Sequence, residues 1–332
     1  MQSNNSAFSI LNSQLLIGVV GCTGTGKTAL GVAICKAFGG EVVSCDSMQI
    51  YAGMPIATAQ PSEFERDGIV HHLMGFLPPE EPYNVSLYCN DAHAAIAGIA
   101  ARSRIPVVVG GTGLYYSALT QNLQFALQEL DTQLRDKLLE ETEADEGAAI
   151  LDKLRAVDPL AAERLQTGGV RRIARAWERY LSTGMTPSEH DEQSRKSGTP
   201  YRTLTIGLDF RDREKLYERL DSRVDHMLKA GLREEAERFM DCQSHTARQA
   251  IGHKELFPAL RGEISFKEAV ENLKRNTRRY AKRQRTWFRG QVPDVHWLYI
   301  DEYINSQCTI HSAQLLGDAM EVISKFLGER NE

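Results

Sequence analysis

The chain has 332 residues, enough for one large domain or two domains of ordinary size. Its 42% apolar and 25% charged residues match globular averages, and it lacks both low-complexity tracts and a fixed repeat, which argues against a disordered chain or a solenoid. The formal net charge of -5 argues against indiscriminate binding of nucleic acid over the whole surface.

The first apolar run, Leu15 to Val20, has no basic segment before it and leads into glycines. It is far too short to span a membrane, so it predicts a buried strand. The six cysteines show neither CxxC pairing nor metal-ligand spacing, which is typical of free thiols in a reducing compartment. We therefore expect a cytoplasmic protein with no membrane partner.

Strand and helix patterns alternate over the first 120 residues, as in a doubly wound α/β domain. The elements predicted there are a strand at Leu15 to Val20, a helix at Lys27 to Phe38, a strand at Glu41 to Cys45, a helix at Ser86 to Arg104 and a strand at Ile105 to Val109. Glycine loops follow the first and third strands, where ligands of such folds bind.

The character of the sequence changes after about residue 120. Polar helical segments, an acidic run from Glu140 to Glu146 and a loop-like stretch from Thr183 to Pro200 contain no convincing strand. A β-like segment, Thr203 to Phe210, then resumes the core, followed by amphipathic helices and a possible strand at Val295 to Ile300. These patterns predict a core made of residues 1–120 and 201–332, with an all-helical insertion domain at residues 121–200.

A phosphate-binding loop lies between the first strand and the first helix. The segment Gly21-Cys22-Thr23-Gly24-Thr25-Gly26-Lys27-Thr28 matches Gly-x4-Gly-Lys-[Ser/Thr] in its required context. Backbone N–H groups and the helix N-terminus attract phosphate oxygens, Lys27 neutralises their charge, and the Thr28 hydroxyl suits Mg²⁺. The fold class is therefore α/β, with a P-loop NTPase-like core whose parallel sheet is flanked by helices. Kinases, ATPases and GTPases share this loop, so it does not choose the reaction.

Asp46 follows the second strand, in the string Asp46-Ser47-Met48-Gln49-Ile50-Tyr51. In a parallel sheet this position lies on the same side as the P-loop, which suits a carboxylate facing a reaction centre. On spacing alone, Asp46 is also compatible with a structural role as the cap of a turn or helix.

The sequence resembles the tRNA dimethylallyltransferase family through motifs that occur in family order over nearly the whole chain. Besides the P-loop and DSMQIY, the matching segments are Thr58, Pro61, His71 to Leu73, Gly110 to Tyr115, Arg172 to Glu178, Ile206 to Leu208, Arg223 to Asp225, Ala250 to Gly252 and Thr277 to Arg289.

The resemblance implies a reaction. The P-loop would hold the diphosphate of dimethylallyl diphosphate with Mg²⁺, and the exocyclic amine of the adenine 3′ of the tRNA anticodon would attack the allylic carbon. Asp46 would be the general base for that amine, Thr112 a catalytic residue that contacts the tRNA, and Arg223 a contact to the diphosphate.

The sequence supports Arg223 independently. In the helix predicted from Asp212 to Lys229, Arg223 falls within an apolar stripe with Leu216, Leu220 and Met227. A charge in that stripe requires a partner, either a diphosphate or a structural ion-pair acid.

The predicted helix from Phe266 onward is the expected RNA-binding element. Between Glu271 and Arg289 there are eight Lys or Arg residues and one acid, whereas Phe266, Val270, Leu273, Thr277, Tyr280 and Gln284 mark an inward face. In the insertion, Ile173, Trp177, Tyr180 and Leu181 form an apolar face beside Arg171, Arg175 and Arg179. Trp287 and Phe288 fit either base stacking or core packing.

The residues expected to contact tRNA are Asp46, Ser47, Met48, Gln49, Thr112, Gly168, Gly169, Arg171, Arg172, Arg248, Gly252, His253, Thr277, Arg278, Lys282, Arg283 and Gln284. Two places depart from the family pattern: Gly168-Gly169 stands where an Asn-Asp or Asn-Asn pair is usual, and His253 stands where Tyr is usual. These departures concern RNA recognition more than the chemistry.

Three rival functions remain at this stage: a nucleotide kinase, an enzyme that prenylates free adenine nucleotide, and an RNA-binding scaffold without transferase activity. The insertion and the arginine-rich helix favour a macromolecular acceptor. We expect the anticodon stem-loop of tRNA as partner and a monomeric enzyme.

Overall fold

The computed structural model describes residues 15–123, 132–196, 198–241, 247–303 and 312–328. The chain forms two compact units, one made of residues 1–120 and 200–332 and the other of residues 121–199. Within the described residues, no helix combines the length and the apolar character needed to cross a bilayer.

A parallel sheet forms the centre of the first unit. Its strands, in the order β3-β2-β4-β1-β5-β6, confirm the predicted parallel α/β core. The strands are β1 (Leu15–Gly21), β2 (Gly40–Ser44), β3 (His71–His72), β4 (Ile105–Gly110), β5 (Arg202–Asp209) and β6 (Val295–Tyr299).

Helices cover the sheet in the first unit and make up the second. Those of the first unit are α1 (Lys27–Phe38), α2 (Pro55–Thr58), α3 (Glu63–Arg66), α4 (Val85–Ala101), α5 (Gly113–Thr120), α11 (Arg213–Lys229), α12 (Leu232–Phe239), α13 (His253–Leu260), α14 (Phe266–Gln291) and α15 (Ser312–Gly328). Those of the second unit are α6 (Thr132–Ala144), α7 (Ala148–Val157), α8 (Pro159–Leu165), α9 (Val170–Thr183) and α10 (Pro187–Lys196).

Strand β1 is apolar on both faces because it separates two cores. Ile17 and Val19 pack into one hydrophobic cluster, whereas Leu16 and Val20 pack into the cluster on the other face. A strand buried on both sides has a continuous apolar sequence, which explains why β1 was predictable. The sheet therefore holds the loops at its carboxyl edge on a rigid base.

The loop expected between Thr183 and Pro200 was wrong, because α10 occupies most of it. The sequence of α10 is polar throughout and so gives no amphipathic signal. Its start does carry a usable signal: the Thr186 N–H donates to Glu189 Oε2 at 2.8 Å, and the Glu189 N–H donates to Thr186 Oγ1 at 3.3 Å. This reciprocal pair is a capping box, whose Thr-x-x-Glu spacing is readable from the sequence.

The inward face of α14 also differs from the prediction. Phe266 is 40% exposed, so it does not belong to the buried face. Ala269, Ala281 and Phe288 do belong to it, together with the predicted Leu273, Thr277 and Gln284. Trp287 Nε1 donates to Ser117 Oγ at 3.1 Å and Phe288 is fully buried, so both aromatic residues are used in packing.

Candidate active site

Three loops meet at the carboxyl edge of the sheet because their strands are neighbours. The P-loop follows β1, the segment beginning at Cys45 follows β2, and Gly111 and Thr112 follow β4, which lies between those two strands. These loops border a cavity of about 780 Å³ that is completed by α11, α14 and residues 57–61. The cavity is of the size that binds small ligands.

The P-loop adopts a tightly constrained backbone. Gly21, Gly24 and Gly26 have positive φ angles, and a Cβ on Gly21 would lie 2.2 Å from the Leu208 carbonyl oxygen. Lys27 Nζ donates to the Cys22 carbonyl at 2.7 Å and lines the cavity together with Thr28. The predicted lysine and hydroxyl thus face the same space.

Lys27 is the basic residue of the P-loop segment, and its surroundings lower its pKa. Burial lowers the pKa of Lys27 to about 8, although the nearby charge of Asp46 raises it. In the free protein the ammonium is therefore present below pH 8 and is lost above it.

Diphosphate affinity should therefore fall as the pH rises above about 8, by about tenfold per pH unit at most, because the anion selects charged Lys27. Calorimetric titration with inorganic diphosphate between pH 7 and pH 9.5 measures this. Lys27→Arg is the control, since its guanidinium stays charged and leaves only the titration of the ligand. Parallel profiles for the two proteins would contradict the prediction.

The Asp46 side chain both caps a turn and faces the cavity. Its Oδ1 accepts the backbone N–H of Met48 at 2.9 Å and of Gln49 at 3.4 Å, so it caps the turn that follows β2. The same side chain lines the cavity, where the charges of Lys27 and Arg223 act on it. Burial raises the pKa of Asp46 above its usual value, and the two turn N–H groups and Lys27 oppose the rise. A carboxylate with a raised pKa is a better proton acceptor.

Thr112 is hydrogen-bonded to the loop that carries Asp46 and holds that loop in place. Thr112 Oγ1 accepts the Ser47 N–H at 2.9 Å, and the Thr112 N–H donates to the Cys45 carbonyl at 3.1 Å. The β2 and β4 loops approach so closely that a Cβ on Gly110 would lie 2.0 Å from the Cys45 carbonyl oxygen. These contacts make Thr112 a positioning residue for the segment that carries Asp46.

Arg223 lines the cavity from α11, half-buried beside the apolar face of the helix. That face consists of Leu216, Leu220 and Val224 rather than Met227. Burial lowers the pKa of Arg223, and Asp46 raises it through its charge. Among the described residues, Arg223 takes part in no ion pair, so the structural alternative receives no support from the contacts.

Arg219 is a cavity residue that the sequence reasoning missed. Its Nε donates to the Gly24 carbonyl of the P-loop at 2.6 Å. The signal available in the sequence is the spacing between Arg219 and Arg223. Residues four apart lie on the same helix face, and Arg223 is predicted to face the diphosphate.

Four residues of α14 line the cavity: Thr277, Tyr280, Arg283 and Gln284. Thr277 is 7% exposed, and the charge of Asp46 acts on the buried Tyr280 hydroxyl and contributes to its raised pKa. Gln284, predicted to contact tRNA, is buried between two of the loops. Its Oε1 accepts the Thr23 N–H at 2.9 Å and its Nε2 donates to the Gly111 carbonyl at 2.8 Å. Gln284 is therefore used in positioning.

More of the basic side chains of α14 have acidic partners than the sequence of the helix indicated. Arg278, a predicted tRNA contact, pairs with Asp221 at 2.6 Å, and Lys274 pairs with Asp225 at 2.7 Å. Arg285 and Arg289 both pair with the buried Asp209 of β5. The compensating acids lie on α11 and β5, so counting charges along α14 alone missed them. The exposed cations without an ion pair in the described part of the chain include Arg279, Lys282 and Arg283.

Gly252 and His253, both predicted to contact tRNA, are buried in this structure. His253 is 0% exposed, and its Nε2 lies 2.9 Å from Glu235 Oε1. Glu235 also accepts the N–H groups of Ile56 and Ala57 at 2.9 and 2.8 Å. His253, which stands where the family usually has tyrosine, thus belongs to a buried polar cluster. The sequence pattern alone does not show whether such a residue is buried or exposed.

Of the remaining predicted RNA contacts, Ser47, Met48 and Gln49 are half-buried and line the cavity, Gly168 is half-buried, and the others are exposed. Gly169 precedes α9 as its N-cap, with Arg171 and Arg172 exposed in the first turn of that helix. Arg248 is exposed on the first unit, with its guanidinium 6.0 Å from the Phe257 ring centre. Within the second unit, Arg175 pairs with Glu178 at 2.7 Å.

The two adjacent histidines have separate surroundings. His72 Nε2 lies 2.6 Å from Glu41, whereas His71 lines the cavity, with Nδ1 bound to the Ile69 carbonyl and Nε2 buried without a partner in the described part of the chain. No cluster of three or more His, Cys, Asp or Glu side chains that suits a metal occurs among the described residues. Cys22, Cys35, Cys45 and Cys89 are free thiols, and Cys242 and Cys308 lie outside the described residues.

The fold and the cavity define the class of protein: a P-loop α/β protein whose cavity is lined by the carboxylate of Asp46 together with basic side chains that include Lys27 and Arg223. A family model described as IPP transferase matches residues 49–291, and one described as isopentenyl transferase matches residues 15–71. The chain belongs to the IPP transferase family.

Curated relatives carry a consistent name. A tRNA dimethylallyltransferase of Acetivibrio thermocellus is 43% identical, with 86% of this chain and 91% of the relative covered. Another, from Geobacillus kaustophilus, is 46% identical over 84% of this chain and 88% of the relative.

Two solved structures that are similar to this chain carry related names. The tRNA isopentenylpyrophosphate transferase of Bacillus halodurans is 36% identical with a TM-score of 0.68, covering 95% of this chain and 97% of its own. A eukaryotic dimethylallyltransferase acting on tRNA is 30% identical with a TM-score of 0.76, covering 94% and 80% respectively.

Proposed function

We propose that this protein is a tRNA dimethylallyltransferase, which moves the dimethylallyl group of dimethylallyl diphosphate to the exocyclic amine of the adenine 3′ of the anticodon. The observation that carries the proposal is the position of Asp46 in the same cavity as Lys27 and Arg223. A proton acceptor beside two cations suits a reaction that deprotonates an amine while an anionic leaving group departs. Relatives with this name cover most of the chain.

In the proposed reaction, the amine nitrogen forms a bond to the allylic carbon as the carbon–oxygen bond to diphosphate breaks. The electron pair of that bond leaves with the diphosphate, whose growing charge Lys27 and Arg223 offset. The amine proton passes to the carboxylate of Asp46. Diphosphate and prenylated adenine are the products, so the bonds and charges balance.

Mg²⁺ is the expected cofactor, and the cavity offers it suitable oxygen donors. Mg²⁺ in such sites takes one or two protein oxygens and completes its shell with phosphate oxygens and water. The Thr28 hydroxyl and the Asp46 carboxylate both line the cavity. When bound, the ion would neutralise diphosphate charge. We propose Thr28 as the residue that holds it.

The direct test uses labelled dimethylallyl diphosphate, Mg²⁺ and unmodified tRNA, followed by nucleoside analysis. Label in adenosine from tRNA is the expected result. Separate reactions with free adenosine monophosphate as acceptor, and with labelled ATP as phosphoryl donor, distinguish the rival enzymes. Transfer from ATP without prenyl incorporation would indicate a kinase, and RNA binding without any transfer would indicate a scaffold.

The exposed cations of α14 are the proposed tRNA contacts, acting with Arg171, Arg172 and Arg248. Replacing Arg279, Lys282 and Arg283 together by glutamine should weaken tRNA binding and reduce its dependence on salt. For each phosphate that the variant no longer binds, the slope of log affinity against log salt should fall by roughly 0.7 to 0.9. The slope is measured by titrating tRNA at several salt concentrations.

The matched control is Lys274→Gln with Arg278→Gln, which removes cations of the same helix that already have acid partners. We expect a smaller change of slope per residue in this control. Equal changes in the two variants would mean that the ion pairs open to bind RNA. An unchanged slope in the triple variant would mean that the RNA binds elsewhere on the protein.

We further propose that the enzyme acts as a monomer in the cytoplasm.

A further inference from the structure

Gln284 connects two of the active-site loops with a single side chain. It is 5% exposed, and both atoms of its amide group are used: Oε1 accepts the Thr23 N–H at 2.9 Å, and Nε2 donates to the Gly111 carbonyl at 2.8 Å. Gly111 permits the approach, since a Cβ there would lie 2.3 Å from Gln284 Nε2. The P-loop and the β4 loop are therefore tied to α14 as well as to the sheet.

The third loop is joined through the preceding turn of the same helix. The hydroxyl of Tyr280 lies close to the side chains of Thr112 and Gln284, which lower its pKa although burial raises it overall. Thr112 in turn accepts the Ser47 N–H, next to Asp46. Residues of α14 thus contact, directly or through one intermediate, the loops that carry the diphosphate site and the general base.

The outer side of α14 carries the exposed cations Arg279 and Lys282, and the exposed Arg283 lies between this side and the cavity, which it lines. Gln284 lies about 140° around the helix from Arg279, because successive residues are 100° apart. The cations and the loop contacts therefore share a few turns of one continuous helix of 26 residues.

We propose that Gln284 is a positioning residue that couples RNA binding on the outer side of α14 to diphosphate binding at the P-loop. This inference rests on the proposed function, since it requires RNA on α14. A glutamine amide suits the task because it bonds one loop as an acceptor and the other as a donor, so the two loops move together with the helix. A glutamine that only filled space in the core would not link the two ligands.

The experiment measures the affinity of the full-length protein for inorganic diphosphate with Mg²⁺ by calorimetry, with the protein either free or saturated with unmodified tRNA. Coupled sites typically change each other's affinity by about 5- to 150-fold, and the effect is reciprocal. We expect a ratio of at least about fivefold in the unaltered protein. The ratio should fall to about one in Gln284→Met, which keeps the size of the side chain but loses both bonds.

Gln284→Glu gives a second, chemically different variant. It can still accept the Thr23 N–H, but an ionised carboxylate has no proton to donate to the Gly111 carbonyl, so the ratio should fall here too when it is measured at a pH at which the new carboxyl is ionised. Thr286→Ala is the matched control, because the exposed Thr286 hydroxyl donates to the Lys282 carbonyl of its own helix and to no active-site loop among the described residues. It should keep the ratio of the unaltered protein.

A ratio in Gln284→Met or Gln284→Glu equal to that of the unaltered protein would overturn the inference, as would a ratio of one in the unaltered protein. Lower thermal stability with an unchanged ratio would show that Gln284 only stabilises the fold. The proposed function fails in a different way, through absent prenyl transfer to tRNA or absent tRNA binding. Prenyl transfer with a ratio of one therefore rejects the coupling alone.

Discussion

Asp46→Asn should slow single-turnover prenyl transfer to tRNA by about 10² to 10⁴, equivalent to roughly 3 to 5 kcal/mol of activation free energy. The asparagine keeps the size of the side chain and an oxygen for the Met48 N–H, which Asp46 Oδ1 accepts at 2.9 Å. It removes the proton acceptor. The expected loss therefore reports the proton transfer rather than the collapse of the turn.

The turn-capping role of Asp46 requires its own control. Ser47→Ala removes the hydroxyl that accepts the Thr112 O–H at 3.3 Å, so it weakens the loop attachment, but it leaves both the Asp46 carboxylate and the backbone N–H that Thr112 Oγ1 accepts. This variant should transfer the prenyl group within a few-fold of the normal rate. A loss as large as that of Asp46→Asn would mean that loop geometry, and not the carboxylate, limits the reaction.

Diphosphate affinity separates the two chemical roles available to Asp46. It should stay nearly unchanged in Asp46→Asn if Lys27, Thr28 and the loop backbone hold that ligand. A large loss of Mg²⁺-dependent diphosphate binding would recast Asp46 as a metal ligand. Near-normal transfer would reject the general-base assignment.

Arg223→Ala should reduce turnover by about 10² to 10³, the usual effect of removing one group that stabilises charge developing in a transition state. Charge on the diphosphate grows as the allylic bond breaks, so the loss should appear mainly in kcat rather than in tRNA affinity. Single-turnover rates and tRNA titrations measure the two effects.

Arg223→Lys is the matched variant, because it keeps the charge but lacks the planar fork of the guanidinium. Partial recovery of the rate would show that charge is the main contribution. A variant that loses stability but retains full activity per folded molecule would instead make Arg223 a structural partner. Arg223 is half-buried near Asp46 and has no ion pair among the described residues. This position favours a contribution through charge over a structural role.

The charge pattern of α14 shows where sequence reasoning reaches its limit. A run of eight basic residues with one acid indicated a polyanion site. In the fold, Asp209, Asp221 and Asp225 come from elements much earlier in the chain and pair with half of those cations. Pairs between distant segments leave no local spacing to detect, so only the tertiary contacts separate paired cations from exposed ones.

Arg219, Glu235 and Gln284 illustrate the same limit for the site. Each owes its importance to a partner far along the chain: the Gly24 carbonyl, the α2 N–H groups with His253, and the Thr23 and Gly111 backbone. None belongs to a spacing pattern that specifies chemistry by itself. Arg223 was accessible from sequence only because a charge within an apolar stripe is locally anomalous.

The sequence by itself determined the features that depend on local order: the P-loop between strand and helix, the doubly apolar strands of a parallel sheet and the placement of Asp46 at a strand end. Their signals are short-range because backbone geometry and side-chain periodicity act over a few residues. The tertiary structure decided which cations remain exposed, that His253 is buried, and that Gln284 joins two loops. These outcomes depend on which segments become neighbours, and that is fixed by packing of the whole chain.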